Sequence, residues 1–83
     1  MRYENEIREI IRRTINITEP IDKIGDESAL HNAGIDSLEF VKVIIEIEVF
    51  FGIEIPYDKL TMAEAGTIKK LCNIVNSQKG DIS

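Results

Sequence analysis

A chain with one cysteine cannot form an internal disulfide, and Cys72 alone cannot build a cysteine-based metal site. A single thiol of this kind is expected to act as a small buried hydrophobe. The only histidine, His31, leaves little from which to make a metal site or a catalytic base. Long apolar runs are missing too. Lys42, Glu46 and Glu48 interrupt the longest one, which falls short of the roughly 20 residues needed to cross a bilayer. The first ten residues, "MRYENEIREI", alternate charges and contain no signal-peptide core. These features lead to the expectation of a soluble, cytoplasmic protein without membrane insertion. Positive charge is scarce in the middle of the chain, where residues 26–58 hold eight acids and only Lys42 as a base. Nucleic acid would require clustered Lys and Arg. The acidic middle suits a protein partner with a basic patch, because complementary potentials speed association and select partners.

What is present reads as helix. Tyr3, Ile7, Ile10, Ile11 and Thr14 recur at three- and four-residue spacing, predicting an amphipathic helix over about residues 3–16. Pro20, Gly25 and irregular spacing mark residues 17–35 as a long loop, pinned to a core by Ile21, Ile24, Leu30 and Ile35. Loops of this length in a compact domain are often functional. A second helix is predicted over residues 37–51. Asp36 or Ser37 can cap it, Glu39 stands at capping-box spacing from Asp36, and Gly52 ends it. The β-branched run "VKVIIEIEVF" also has strand character, but its apolar positions do not alternate cleanly. "GIEIP" reads as a short extended connection, and "YDKLTM" as one helical turn. A last helix over about residues 67–77 carries Ile68, Leu71, Cys72 and Val75 on one face. The expected fold is all-α, a small four-helix bundle of three main helices plus a short third one. Residues 1–77 are expected to form one domain and residues 78–83 a flexible tail.

Spacing residues about 100° apart gives the second helix two apolar faces. Phe40, Val43, Ile44, Ile47, Phe50 and Phe51 gather on one side, the natural core side. Leu38, Val41, Ile45 and Val49 gather on the other, bordered by acids. A small domain needs only one such stripe, so the second is a candidate docking surface. The alternative is a central helix with both stripes buried.

At the start of this helix "GIDSL" poses the chemical question. It misses the G-x-S-x-G nucleophile pattern, and Ile35 separates the glycine from "DSL". A serine nucleophile also needs a base and a group to orient it, and His31 is the only candidate base. Ser37 could be a plain cap. It could instead be an attachment point, because a helix N-terminus with free N–H donors and a positive dipole end suits a phosphate ester.

"GIDSLEFVKVIIEIEVFFGIEIP" resembles the 4′-phosphopantetheine attachment region of acyl carrier proteins. The likeness continues in order through the whole chain, ending with "TIKKLCNIV" as the family's fourth helix. The resemblance implies a non-catalytic carrier. Ser37 would receive phosphopantetheine from coenzyme A through a phosphopantetheinyl transferase and a divalent metal, and the arm's thiol would hold an acyl group as a thioester. Asp36 would cap the helix and position the transferase. Leu38, Glu39, Val41, Ile45 and Glu48 would meet acyl-loading and acyl-processing enzymes. Val43, Ile47, Leu60 and Ile68 would line an acyl pocket. A carrier visiting several enzymes is expected to be a monomer.

Phe40, Lys42 and Val49 depart from the family's commonly polar or acidic helix. The implied pathway is fatty-acid or specialised polyketide-type biosynthesis. An aminoacyl carrier, of peptidyl or D-alanyl type, is the alternative within the class. From a different class comes a helical adaptor in which Ser37 is only a cap or a phosphosite.

Overall fold

A computed structural model of the chain describes residues 3–15, 20–56, 61 and 65–79. Three α-helices appear among them: α1 (Glu4–Thr14), α2 (Ser37–Phe51) and α3 (Ile68–Gln78). Two 3₁₀ turns, Ile21–Lys23 and Leu30–Ala33, lie within the loop joining α1 to α2. The described residues form no strand, so the β-branched run of α2 is helical, as its spacing predicts. The short helix expected near "YDKLTM" falls mostly outside the described residues, as does Leu60.

Helix α1 ends sooner than the apolar periodicity suggests. Ile15 is already extended, although its N–H still bonds to the carbonyl of Ile11. Glu4 and Glu6 in the first turn and Arg12 and Arg13 in the last match the helix dipole. Ile7, Ile10 and Ile11 face inward, and α1 packs against α2, α3 and the first 3₁₀ turn. At one end Tyr3 meets Phe51 edge-to-face, with ring centroids 5.2 Å apart.

The long loop is tied down rather than merely packed. Ile21, Ile24, Leu30, Ala33 and Ile35 are all buried. Arg8, with a side chain only 14% exposed, donates through one guanidinium nitrogen to the carbonyls of Ile21 at 2.6 Å and Ile24 at 2.8 Å. Its Nε holds Glu4 at 2.9 Å, which fixes the guanidinium plane. Further along, the Leu30 N–H donates to the carbonyl of Gly66, and the Lys69 N–H donates to that of Asp26. The second bond satisfies a first-turn donor of α3, which has no partner within its own helix. Thr67 serves another such donor, its hydroxyl accepting from Lys70 N–H at 3.1 Å.

The loop therefore delivers the chain to α2 at a set place and angle. The last step is Gly34, whose φ of 92° lies in the left-handed region that side chains disfavour. Helix α3 runs through Gln78, one residue into the stretch assigned to the tail. Ile68, Leu71, Cys72, Ile74 and Val75 are its buried face. Burial, and secondarily the Glu4 charge, pushes the Cys72 thiol up to about 11. Cys72 is a core residue.

Candidate functional site

Asp36 stands in extended conformation just before α2, and its side chain makes a reciprocal capping box. Asp36 Oδ1 accepts from Glu39 N–H at 2.8 Å, and Glu39 Oε1 accepts from Asp36 N–H at 3.2 Å. This arrangement leaves the next residue unoccupied. Ser37 is the first residue of the helix and exposed, and its hydroxyl has no hydrogen bond among the described residues. The N–H groups of Ser37 and Leu38 are not used by the box or by any carbonyl of the described loop residues. A phosphate ester on Ser37 Oγ would therefore meet free donors and the positive end of a fifteen-residue helix. The site fits a phosphodiester-linked group, and the cap does not compete for the attachment oxygen.

Along α2 the two faces separate. Phe40, Val43, Ile44 and Ile47 are buried, while Leu38 is 67%, Val41 46%, Ile45 50% and Val49 73% exposed. The outer stripe is thus a free apolar surface, and the both-buried alternative fails. Phe50 corrects the expected core set. It is half-exposed, because it sits at the margin of the inner stripe in the last turn. There its ring borders a cleft with Asn5, Glu6, Glu9, Ile10 and Arg13, with the Arg13 guanidinium carbon 5.7 Å from the ring centre. Phe51 is half-buried.

Of the acids, Glu39 is committed to the capping box. Glu48 is half-buried, and its Oε2 accepts from Ile55 N–H at 2.8 Å. The carbonyl of Glu48 also accepts from Gly52 and Ile53. Glu48 therefore clamps the extended segment after α2 onto the helix, a role its sequence position does not announce. Gly52, at φ 66°, makes the turn possible. Among the acyl-pocket candidates, Val43, Ile47 and Ile68 are wholly buried in the core. His31 is exposed on the second 3₁₀ turn. No group of His, Cys, Asp or Glu among the described residues could hold a metal ion. None of the described helices is long and apolar enough to cross a membrane.

Comparison with known proteins agrees with this geometry. Residues 5–75 match the family model described as a phosphopantetheine attachment site. An aminoacyl carrier protein of Agrobacterium fabrum (strain C58 / ATCC 33970) is 35% identical over 65 residues, covering 78% of each chain. An acyl carrier protein of Zymomonas mobilis subsp. mobilis is 29% identical over 73 residues, covering 88% of this chain and 90% of that one. The fold also matches a chain in the crystal structure of engineered Bradyrhizobium japonicum glycine:[carrier protein] ligase complexed with carrier protein from Agrobacterium tumefaciens and ATP. That match has a TM-score of 0.82 and 32% identity, covering 89% of this chain and 96% of that one. The corresponding complex with AMP matches at the same TM-score and 33% identity, covering 88% and 97%. The described residues form a helical fold that matches these carriers. The chain belongs to the acyl carrier protein family, whose members hold 4′-phosphopantetheine covalently.

Proposed function

We propose that Ser37 is the attachment residue and that the protein is a non-catalytic carrier of an aminoacyl group. The observation behind this is the division of labour at the start of α2. Asp36 and Glu39 cap the helix, while Ser37 offers an unengaged, exposed hydroxyl beside free N–H donors. When attached, the arm supplies a thiol that carries its load as a thioester. The protein's own residues hold the attachment point rigid and present the surface that enzymes recognise.

In this reading a phosphopantetheinyl transferase, acting with coenzyme A in the cytoplasm, docks at Leu38, Val41 and Ile45 and is oriented by Asp36. Loading and processing enzymes use the same stripe and bring basic side chains to Glu39 and Glu48. The aminoacyl cargo is supported by the 35% identity to an aminoacyl carrier protein and by the likeness to a chain from a glycine:[carrier protein] ligase complex. The 29% identity to an acyl carrier protein supports the fatty-acyl reading.

Intact mass after incubation with coenzyme A and a broad-specificity transferase tests the attachment. One phosphopantetheine should be added to the wild type and none to Ser37→Ala. An unchanged wild-type mass beside a working transferase control would refute the carrier reading. The cargo is tested by offering the holo protein to an amino-acid:[carrier protein] ligase and to a malonyl transferase. Loading by the second alone would favour the fatty-acyl or polyketide-type role.

A further inference from the structure

One charge interrupts the outer apolar stripe of α2. Leu38, Lys42, Ile45 and Val49 follow at steps of four, three and four residues, the spacing of neighbours on one helix face, so they form a single row. Lys42 is exposed, like the other three. At a rise of about 1.5 Å per residue, it stands about 6 Å from Leu38 and about 4.5 Å from Ile45 along the axis. A partner that covers Leu38 and Ile45 together must therefore cover Lys42 as well.

Among the described residues, no acid pairs with this ammonium. Two acids stand at pairing distance along the helix, Glu39 three residues before and Glu46 four residues after. Glu39 is turned back to the Asp36 N–H. Glu46 follows Lys42 rather than preceding it, which is the weaker order for a pair four residues apart. Lys42 is also the only base among residues 26–58, which hold eight acids. Around the axis Glu46 and Glu48 border the row on opposite sides. The docking face thus presents a lone positive charge between two negative margins.

We propose that Lys42 is a specificity-determining residue: the enzyme that loads the holo protein places a carboxylate opposite it, inside a patch that is otherwise basic. Docking removes water from the row, and an ammonium dried without a partner is costly. A uniformly basic patch would satisfy Glu46 and Glu48 and be repelled by Lys42. Such a repulsive element excludes wrong partners as effectively as attraction selects right ones. The carrier thereby turns away enzymes built for a uniformly acidic helix. This role rests on the outer stripe being the loading surface, and it names the chemistry that the enzyme must bring there.

The test compares holo forms of the wild type, Lys42→Arg, Lys42→Met and Lys42→Glu, with conversion checked by intact mass and folding by melting temperature. Each is titrated into an amino-acid:[carrier protein] ligase, or into a malonyl transferase if that is the enzyme that loads the wild type. Lys42→Met should lower kcat/KM about two- to fivefold, the effect of losing one exposed ion pair. Lys42→Glu should lower it roughly tenfold or more, because attraction becomes repulsion. Lys42→Arg should stay within about twofold of the wild type, since its charge is kept. The losses should appear in KM with kcat nearly constant, as for a contact made equally before and during the chemical step. High salt should draw the four proteins together. Loading of Lys42→Glu or Lys42→Met at the wild-type rate or faster would overturn the proposal. If Val41→Ser/Ile45→Ser still loads slowly in that case, the stripe remains the docking surface. If that double variant also loads normally, the docking reading falls too.

Discussion

Arg8→Met replaces the guanidinium with an apolar side chain that keeps the stem's packing, and it should loosen the loop that ends at Ser37. Arg8 donates to two loop carbonyls, at 2.6 and 2.8 Å, from a side chain that is 14% exposed. A hydrogen bond to a charged group contributes about 1.5–3 kcal/mol, and a buried acceptor left without a partner adds a desolvation cost. Here the two bonds share one nitrogen, and water could reach the vacated carbonyls. The expected loss is therefore about 2–3 kcal/mol rather than the sum of two full bonds. A domain of this size has on the order of 4–12 kcal/mol in total, so the loss is a large fraction of its stability.

Urea unfolding followed by far-UV circular dichroism should show a lower midpoint with an unchanged slope. Native-state hydrogen exchange should accelerate first at residues 20–36, with the amides of Leu71 and Val75 protected longest. Arg8→Lys should recover part of the loss, since an ammonium can reach one carbonyl but lacks the planar fork that also holds Glu4. An Arg8→Met midpoint shift worth less than about 0.5 kcal/mol would refute the reasoning, because a loss that small is typical of ordinary surface substitutions. The loop would then be held by its isoleucines alone.

Other outcomes follow from the same structure. Asp36→Ala should cost about 1 kcal/mol through the lost cap; Asp36→Asn should keep most of that stability, and if it still slows phosphopantetheine transfer, the Asp36 carboxylate has a role beyond capping. Gly52→Ala should lower the melting temperature by several degrees, because φ 66° costs an L-residue about 1–2 kcal/mol although space for the methyl is open. Val41→Ser/Ile45→Ser should leave the melting temperature nearly unchanged, since both residues are about half exposed, and should lower kcat/KM for loading. Thiol titration of the folded protein near pH 7.5 should count no reactive thiol in the apo form and one in the holo form, with Cys72 appearing only in denaturant. Because the Cys72 thiol is raised from 9.0 to about 11, the folded state favours its neutral form; the associated stability is complete below pH 9 and declines as pH rises through about 11, measurable by urea midpoints in that range.

Local signals carry most of what sequence reading can reach. Helix α2 has the bounds its pattern indicates, because a capping box, a 3.6-residue period and a terminal glycine each act within a few residues. The burial of Ile21, Ile24, Leu30 and Ile35 is legible for a similar reason, since isolated aliphatics in a polar loop have few other places to go. Arg8 is not legible. Its partners are carbonyls thirteen and sixteen residues away, and backbone acceptors leave no mark on a sequence. The clamp from Glu48 to Ile55 escapes in the same way. Periodicity misplaces Phe50, because it assigns an angle around the helix but not the depth of the neighbour at that end. At the site itself, spacing offers both Asp36 and Ser37 as the cap, and the reading of Ser37 as a handle comes from the family resemblance. That the hydroxyl is unengaged requires coordinates.

The composition of the interior has a consequence of its own. Of the twenty buried hydrophobic residues among those described, twelve are isoleucine and one, Phe40, is aromatic. Branching at Cβ leaves each isoleucine few χ1 states, so these side chains lose little rotational freedom on folding and have little left for rearrangement afterwards. A core of flexible methionines and leucines can part around a guest; this one behaves more like a set of fitted wedges. It also absorbs almost no near-ultraviolet light, and its state is best followed through isoleucine methyl resonances.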